Sequence, residues 1–220
     1  MIVRMPKYLK KTGLISAGIF LLLLILVGIK FGITISIDKW LTSLLGDDSF
    51  SFGDAFMTII SALGSPLATF IYAVVIAGLL YFSNLRIPAI WVLTTYITGL
   101  AAGQIFKVAV GRARPLGHLA SGYAFPSNHT LTTFIIITII FVLILPNLSS
   151  PSLQLWFGWG TLTFGLLLLE AVMYLQDHYL SDVIAGAAFG IAWVTLWVWL
   201  YEKYAKLLHD KIAALQYDAI

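Results

Sequence analysis

Long apolar stretches, separated by short polar segments, dominate the 220-residue chain. A helix that crosses the hydrocarbon core of a bilayer needs about 20 predominantly apolar residues, and the chain offers six stretches of about that length. We place the predicted spans near residues 13–35, 66–83, 87–108, 129–146, 153–176 and 183–201. The pattern therefore predicts an all-α, polytopic membrane protein, with residues 1–220 forming a single membrane domain built as a bundle of six transmembrane helices.

Turn-forming and polar residues mark the connections between the predicted spans. The longest connection, "GRARPLGHLASGYAFPSN", occupies residues 111–128, and an acidic connection, "GDDSFSFGD", occupies residues 46–54. Residues 54–64 predict a short helix that lies in the membrane interface. Residues 203–220 predict a short tail after the last span.

Composition supports the membrane assignment and excludes several other classes of protein. Hydrophobic residues make up 60% of the chain and charged residues 10%, whereas about a quarter of the residues in a soluble domain are charged. The chain contains no cysteine, which excludes disulfides, thiolate metal sites and cysteine nucleophiles. A net charge of +3 gives no support to nucleic-acid binding.

The positions of lysine and arginine predict the orientation of the bundle. Short loops that carry Lys and Arg stay in the cytoplasm, and six spans place most of the basic positions on one side of the membrane. These positions are Arg4, Lys7, Lys10, Lys11, Arg86, Lys203, Lys206 and Lys211. We therefore expect both termini to be cytoplasmic in the cell (plasma) membrane, and the loops of the opposite side to face outward.

Three segments that lie far apart in the sequence reach this outer face. The first, "KVAVGRARP" at residues 107–115, brings three cations that can bind an anion, since the arginine fork matches phosphate geometry. The second, "PSNH" at 126–129, predicts a helix start at which Ser127 or Asn128 caps the helix and free backbone N–H groups favour a phosphate.

The third segment, "YLQDHYLSDV" at residues 174–183, contains His178 and Asp182, which are four residues apart. This spacing places both on one face of a helix. The carboxylate can then bond one imidazole nitrogen and so orient the other. Together with His129 beside the predicted anion site, the pair suits a nucleophile and an acid.

At these positions the sequence resembles the type-2 phosphatidic acid phosphatase family, whose relatives include the vanadium haloperoxidases. The family signature reads Lys-x6-Arg-Pro, Pro-Ser-Gly-His and Ser-Arg-x5-His-x3-Asp. Here the three motifs are matched by Lys107 and Arg114, by Ser127 and His129, and by His178 and Asp182. Asn128 replaces the glycine of the second motif. Three motifs in the right order and on one face are far more specific than any one of them.

The resemblance implies a catalytic role for three residues. His178 would attack phosphorus and form a phosphohistidine, and Asp182 would orient it. His129 would protonate the leaving oxygen and then activate water for the second step. Fixed cations would stabilise the transferred group, so we expect neither a metal nor another cofactor.

The resemblance also implies a phosphate-binding set, formed by Lys107, Arg114 and the backbone N–H groups near Ser127 and Asn128. One member of the family set is absent, because the Ser-Arg pair of the third motif falls on Ala171 and Val172. We expect Arg112 or His118 to occupy the place of this arginine. Replacing Val172 with arginine is then predicted to raise turnover modestly.

The motifs lie at the outer ends of the predicted spans, at the depth of a lipid headgroup. The expected partner is therefore a phosphorylated membrane lipid: a polyprenyl pyrophosphate, phosphatidic acid or phosphatidylglycerophosphate. The leading interpretation is a lipid phosphate phosphatase, and the alternatives are a lipid phosphotransferase and a degenerate, non-catalytic protein that binds or translocates lipid phosphates. The sequence does not predict the oligomeric state. Gly186 and Gly190 indicate close helix packing inside the bundle or, alternatively, a dimer contact.

Overall fold

The computed structural model describes residues 2–45, 51–115, 122–212 and 215, and it has no strand among them. Eight α-helices follow one another along this part of the chain. They are α1 (Lys7–Gly28), α2 (Gly32–Leu45), α3 (Ser51–Leu63), α4 (Pro66–Phe82), α5 (Arg86–Val110), α6 (Asn128–Ile139), α7 (Pro151–Tyr174) and α8 (Leu180–Lys211). A π-helical turn at Ile140–Ile144 and a 3₁₀ turn at Leu145–Asn147 continue α6.

The structure confirms an all-α fold with helices suited to a membrane. Five helices of the described residues, α1, α5, α6 with its continuation, α7 and α8, are each long and apolar enough to cross a bilayer. The 17 residues of α4 rise only about 26 Å at 1.5 Å per residue, less than the roughly 30 Å of a bilayer core. Together with α3, from which it is bent by 46°, α4 can form a sixth span. The helix predicted as interfacial thus forms a bent pair with α4.

The region after α1 differs from the predicted first span. α1 ends at Gly28, and Lys30 has a φ of 54°, a left-handed conformation that non-glycine residues rarely adopt and that stops a helix. A second helix, α2, then begins at Gly32. It was not recognised from the sequence because Asp38 and Lys39 interrupt the apolar pattern there.

α6 is the central helix, and it contacts α4, α5, α7 and α8. Its contact with α8 is especially close because glycine lies at the crossing. A Cβ atom added to Gly186 would meet the Thr130 hydroxyl and lie 2.5 Å from the Ser127 carbonyl oxygen, and one added to Gly190 would lie 2.6 Å from the Leu131 carbonyl oxygen. The Gly-x3-Gly spacing therefore serves packing inside the bundle, and it fixes the start of α6 against the start of α8.

α8 contains 32 residues and is about 48 Å long at 1.5 Å per residue, so it exceeds the thickness of a bilayer core. The helix continues without a break to Lys211, past the point where the sequence predicts a tail. The Met5 backbone N–H donates a hydrogen bond of 2.7 Å to the Glu202 carboxylate. The chain start and the end of α8 therefore lie at the same end of the bundle.

Candidate active site

The end of α5, the start of α6 and the turn between α7 and α8 meet at the other end of the bundle. The Ser127 backbone N–H donates to the Asp182 carbonyl oxygen at 3.0 Å, which joins the second predicted segment to the third. The Lys107 ammonium donates to the carbonyl oxygens of Tyr123 at 2.6 Å and Ala124 at 3.3 Å, which joins the first segment to the second. The structure therefore brings together the three segments that the sequence predicts to converge.

The two predicted catalytic histidines lie close together. The ring centroids of His129 and His178 lie 6.3 Å apart, with an angle of 62° between the ring planes. His129 is in the first turn of α6, and His178 is in the turn between α7 and α8, where its backbone N–H donates to the Val172 carbonyl oxygen at 3.2 Å. At this separation both rings can reach a single phosphorus centre.

His178 faces Asp182 without a hydrogen bond between them. The distance from His178 Nδ1 to Asp182 Oδ2 is 3.8 Å, and Nδ1 is buried with no hydrogen-bond partner among the described residues. Asp182 Oδ2 instead accepts the Tyr179 backbone N–H at 2.9 Å and so caps α8. Hydrogen bonds of catalytic groups are often long in a ligand-free site and shorten in the complex.

Burial sets the protonation state of this histidine. His178 is 1% exposed, and its burial lowers the pKa of the imidazole below 6.5, although the Asp182 carboxylate opposes that shift. Lys107 and Arg114 lower the pKa further. The imidazole is therefore neutral at pH 7, which is the state a nucleophile needs.

Two of the predicted phosphate-binding cations keep donors that no described residue uses. Arg114 has only weak contacts, from Nη1 to the Asp177 carbonyl and carboxylate oxygens at 3.4 Å. Its buried Nε has no partner among the described residues. Lys107 has three ammonium hydrogens, and two carbonyl oxygens account for two of them. Both cations can therefore bind an added anion.

The start of α6 adds polar groups to the same place. Ser127 caps the helix, since its hydroxyl accepts the Thr130 backbone N–H at 3.4 Å. The Ser127 backbone N–H already donates to Asp182, so the N–H groups that can bind a phosphate are those of the next residues in the first turn. The Asn128 side-chain nitrogen donates to Gln104 at 3.2 Å. The Asn128 Oδ1 atom is buried without a partner among the described residues.

Arg112 has different partners from those expected of a phosphate ligand. One terminal nitrogen, Nη1, donates to the Asp182 carboxylate and the Ser181 hydroxyl, each at 2.6 Å. The other, Nη2, donates to the Asp38 carboxylate at 2.6 Å. The guanidinium also stacks 4.2 Å from the Tyr179 ring centre. Arg112 is thus held by two carboxylates behind the site.

Asp38, on α2, was missed by the sequence analysis. It is 2% exposed, and the only sign in the sequence is a single acidic residue within an amphipathic stretch. His118, the other candidate for the missing arginine, lies outside the described residues. The Val172 side chain is fully buried in an apolar cluster with Ile60, Leu168 and Val183, so a cation at this position would enter an apolar environment.

No group of three or more His, Asp or Glu side chains within the described ranges is arranged to hold a metal ion. A family model of the PAP2 superfamily matches residues 88–206, which include all three motifs. The chain belongs to the PAP2 superfamily. The resemblance seen in the motifs is therefore confirmed, and the matched range covers nearly all of α5 and most of α8 but not α1, α2 or Asp38.

Comparison with solved structures finds the PAP2 fold again. The chain is similar to a transmembrane PAP2-type phosphatidylglycerolphosphate phosphatase from Bacillus subtilis, with 22% sequence identity and a TM-score of 0.71. The match covers 86% of this chain and 96% of that chain. At this identity, the likeness concerns the fold. A comparison with curated proteins finds no match.

Proposed function

We propose that this PAP2 protein is a membrane lipid phosphate phosphatase, which hydrolyses a phosphomonoester or pyrophosphate of a membrane lipid through a phosphohistidine on His178. The observation that supports it best is the 6.3 Å separation of the His129 and His178 rings, beside two cations with unused donors. Two imidazoles at this distance can lie on opposite sides of one phosphoryl group, as an in-line displacement requires.

The first chemical step forms a bond between His178 and phosphorus. Nδ1 faces Asp182, so Nε2 is the nitrogen that attacks, and Asp182 takes a hydrogen bond from Nδ1–H as the ring gains positive charge. The bond from phosphorus to the lipid oxygen breaks, and His129 donates a proton to that oxygen. Lys107 and Arg114 hold the equatorial oxygens, where the negative charge is greatest.

In the second step, water attacks the phosphorus of the phosphohistidine. His129, which is now neutral, takes a proton from this water. The bond from phosphorus to Nε2 breaks, His178 recovers its electron pair, and inorganic phosphate leaves. The cycle requires no cofactor.

The position of the site indicates the class of substrate. The catalytic residues lie at the ends of α5–α8, where a lipid headgroup meets the ends of membrane spans. We place this end on the extracytoplasmic face of the cell membrane, because the opposite end carries the start of α1 and the end of α8 with their lysines. Phosphatidylglycerophosphate is the first substrate to test, given the activity named for the similar structure. Phosphatidic acid and polyprenyl pyrophosphate follow.

The test is phosphate release from these three lipids by the protein purified in detergent, with and without a chelator. We expect release from at least one lipid, its retention with chelator, and a loss of at least about a thousandfold in His178→Ala. His209→Ala is the matched control, since His209 lies near the end of α8, far from the site, and it should release phosphate normally.

Three outcomes would contradict parts of the proposal. Unchanged release in His178→Ala would remove the nucleophile. Transfer of phosphate to an added lipid alcohol instead of water would favour a phosphotransferase. No release from any of the three lipids would favour a protein that binds or translocates lipid phosphates.

A further inference from the structure

A chain of buried charges connects α2 to the active site. Asp38 accepts the Ser181 backbone N–H at 3.0 Å, the Ser181 hydroxyl at 2.6 Å and Arg112 Nη2 at 2.6 Å. Arg112 Nη1 continues the chain to Asp182 Oδ1 at 2.6 Å. The chain thus runs from α2, through the loop after α5, to the first turn of α8.

The three ionised groups are buried together and depend on one another. The side chains of Asp38, Arg112 and Asp182 are 2%, 14% and 0% exposed. Burial opposes the charge of Arg112, but the Asp182 and Asp38 carboxylates outweigh it and raise the pKa of the guanidinium. Because a charge buried without its partner is strongly unfavourable, removing one member must disturb the others.

The last member of this chain is the carboxylate that faces the proposed nucleophile. Arg112 binds Asp182 Oδ1, while Oδ2 is the oxygen that lies 3.8 Å from His178 Nδ1. A planar guanidinium that donates to two carboxylates fixes the direction of both. The Tyr179 backbone N–H holds Oδ2 at 2.9 Å, and Arg112, which Asp38 holds, binds Oδ1. The two contacts together set the rotation of the Asp182 carboxyl group.

We propose that Asp38 and Arg112 are positioning residues that aim the Asp182 carboxylate at His178, so that α2 completes the active site. This inference rests on the proposed function, because it concerns how His178 is made ready for attack. It assigns to Arg112 a role in place of the expected phosphate contact, and it assigns a role to Asp38 outside the matched PAP2 range.

The first test separates turnover from substrate binding. Asp38→Asn and Arg112→Gln should each lower kcat by about 10- to 100-fold, which corresponds to one lost charge-assisted hydrogen bond, with KM changed less than threefold. Arg112→Lys keeps the charge but lacks the planar fork that donates to Asp182 from Nη1 and to Asp38 from Nη2, so it should recover only part of the loss. Asp54→Asn is the matched control, since Asp54 on α3 is exposed and, among the described residues, accepts one peripheral bond, from the Tyr174 hydroxyl at 2.8 Å.

The second test is the pH profile of kcat/KM, which reports the charge that Asp182 and Arg112 present to His178. Within the described ranges, the charged and titratable groups around His178 are Asp182, Lys107, Arg114, Asp177 and His129, with Arg112 and Asp38 behind Asp182. Arg112→Gln leaves Asp182 less neutralised, which favours the imidazolium and moves the acidic limb to higher pH. In Asp38→Asn, the charge of Arg112 is no longer shared with Asp38 and neutralises Asp182 more fully. This disfavours the imidazolium of His178 and moves the acidic limb to lower pH.

Unchanged kcat in both variants, or limbs that move in the same direction, would overturn the positioning role. Melting temperatures and size-exclusion profiles in detergent identify a variant that fails to fold. In that event Arg112→Lys, the mildest change, becomes the deciding variant, and normal kcat in a folded Arg112→Lys protein would count against the proposal.

Orthovanadate separates this inference from the proposed function. If the native protein hydrolyses none of the three lipids, the proposed function fails, and vanadate affinity measured by calorimetry becomes the readout. Weaker vanadate binding in Asp38→Asn than in Asp54→Asn would still support positioning, whereas equal affinities would overturn it. A native protein that neither hydrolyses a lipid phosphate nor binds vanadate would overturn both.

Discussion

The two sides of the active site use the same kinds of charged residue in opposite ways. On the side of α8, the charged atoms of Arg112 and Asp182 have close partners at 2.6 Å. On the other side, Arg114 has contacts no shorter than 3.4 Å, all with Asp177 in the turn before α8, and its Nε has no partner among the described residues.

This difference shows that the hydrogen-bond partners of a charged residue, and not its residue type, decide whether it positions another side chain or binds a ligand. A buried polar group without a partner is unfavourable, so it persists where a ligand is expected to supply the missing bond. A group with strong partners has a fixed geometry and few unused hydrogen-bond donors for a ligand. Arg112 and Arg114 are two residues apart, yet they belong to different sides.

The largest effect should follow the loss of His129 from the α6 side. General acid catalysis contributes about 10²–10⁴-fold, so His129→Ala should lower kcat for a lipid phosphate by that factor. With p-nitrophenyl phosphate, whose leaving group needs little protonation, the loss should be much smaller. Steady-state phosphate release measures both, and an equal loss with the two substrates would show that His129 is not the acid.

A cation placed at Val172, on α7, should destabilise the protein. Val172→Arg would bury an unpaired charge in the apolar cluster of Ile60, Leu168 and Val183, at a cost of about 3–5 kcal/mol in the free energy of unfolding. From this packing we expect no gain in turnover, in contrast to the modest gain predicted from the sequence. Thermal unfolding in detergent measures the change, with Val172→Met as the uncharged control. A stable Val172→Arg protein with higher kcat would restore the original expectation.

A smaller effect should distinguish Arg114 from Arg112. Arg114→Gln removes one charge-assisted phosphate contact, worth about 1.5–3 kcal/mol, so kcat/KM should fall about 10- to 100-fold. Product inhibition by inorganic phosphate should weaken in parallel, because the product binds through the same donor. If Arg112→Gln weakens phosphate inhibition equally, the contrast between the two sides is wrong.

The smallest effect concerns the crossing that holds the two sides together. Gly186→Ala places a methyl group 2.5 Å from the Ser127 carbonyl oxygen, and such overpacking costs about 1–3 kcal/mol, reduced by the better helix propensity of alanine. Gly160→Ala, on α7, has no atom within 4 Å of the added Cβ and is the control. A lower melting temperature for Gly186→Ala alone is expected. Equal melting temperatures would show that the α6–α8 crossing can relax.

Much of this fold was predictable because an apolar run of about 20 residues has few alternatives to a membrane helix. α2 was not predictable in the same way, since its polar residues resemble those of a loop until Asp38 is seen buried against α8. The bend between α3 and α4 also depends on packing, which hydropathy does not report.

The part of the candidate site that the spacing of the motifs defines was predictable from the sequence. His129 and His178 lie together as the motifs imply, although their catalytic roles remain predictions. The partners of Arg112 were not predictable, because Asp38 is 74 residues away and a sequence does not show which of two nearby arginines meets a carboxylate. The motif spacing that aligns Val172 with the family arginine likewise gave no sign that Val172 belongs to an apolar cluster.

The hydrogen bonds of Lys107 link the affinity of the site for phosphate to the position of His129. Its ammonium donates hydrogen bonds to the Tyr123 and Ala124 carbonyl oxygens, which lie just before the segment that contains His129. A phosphate that pulls the ammonium nitrogen toward itself weakens these two hydrogen bonds. The affinity of the site for phosphate and the position of His129 therefore both depend on the three hydrogens of the Lys107 ammonium group.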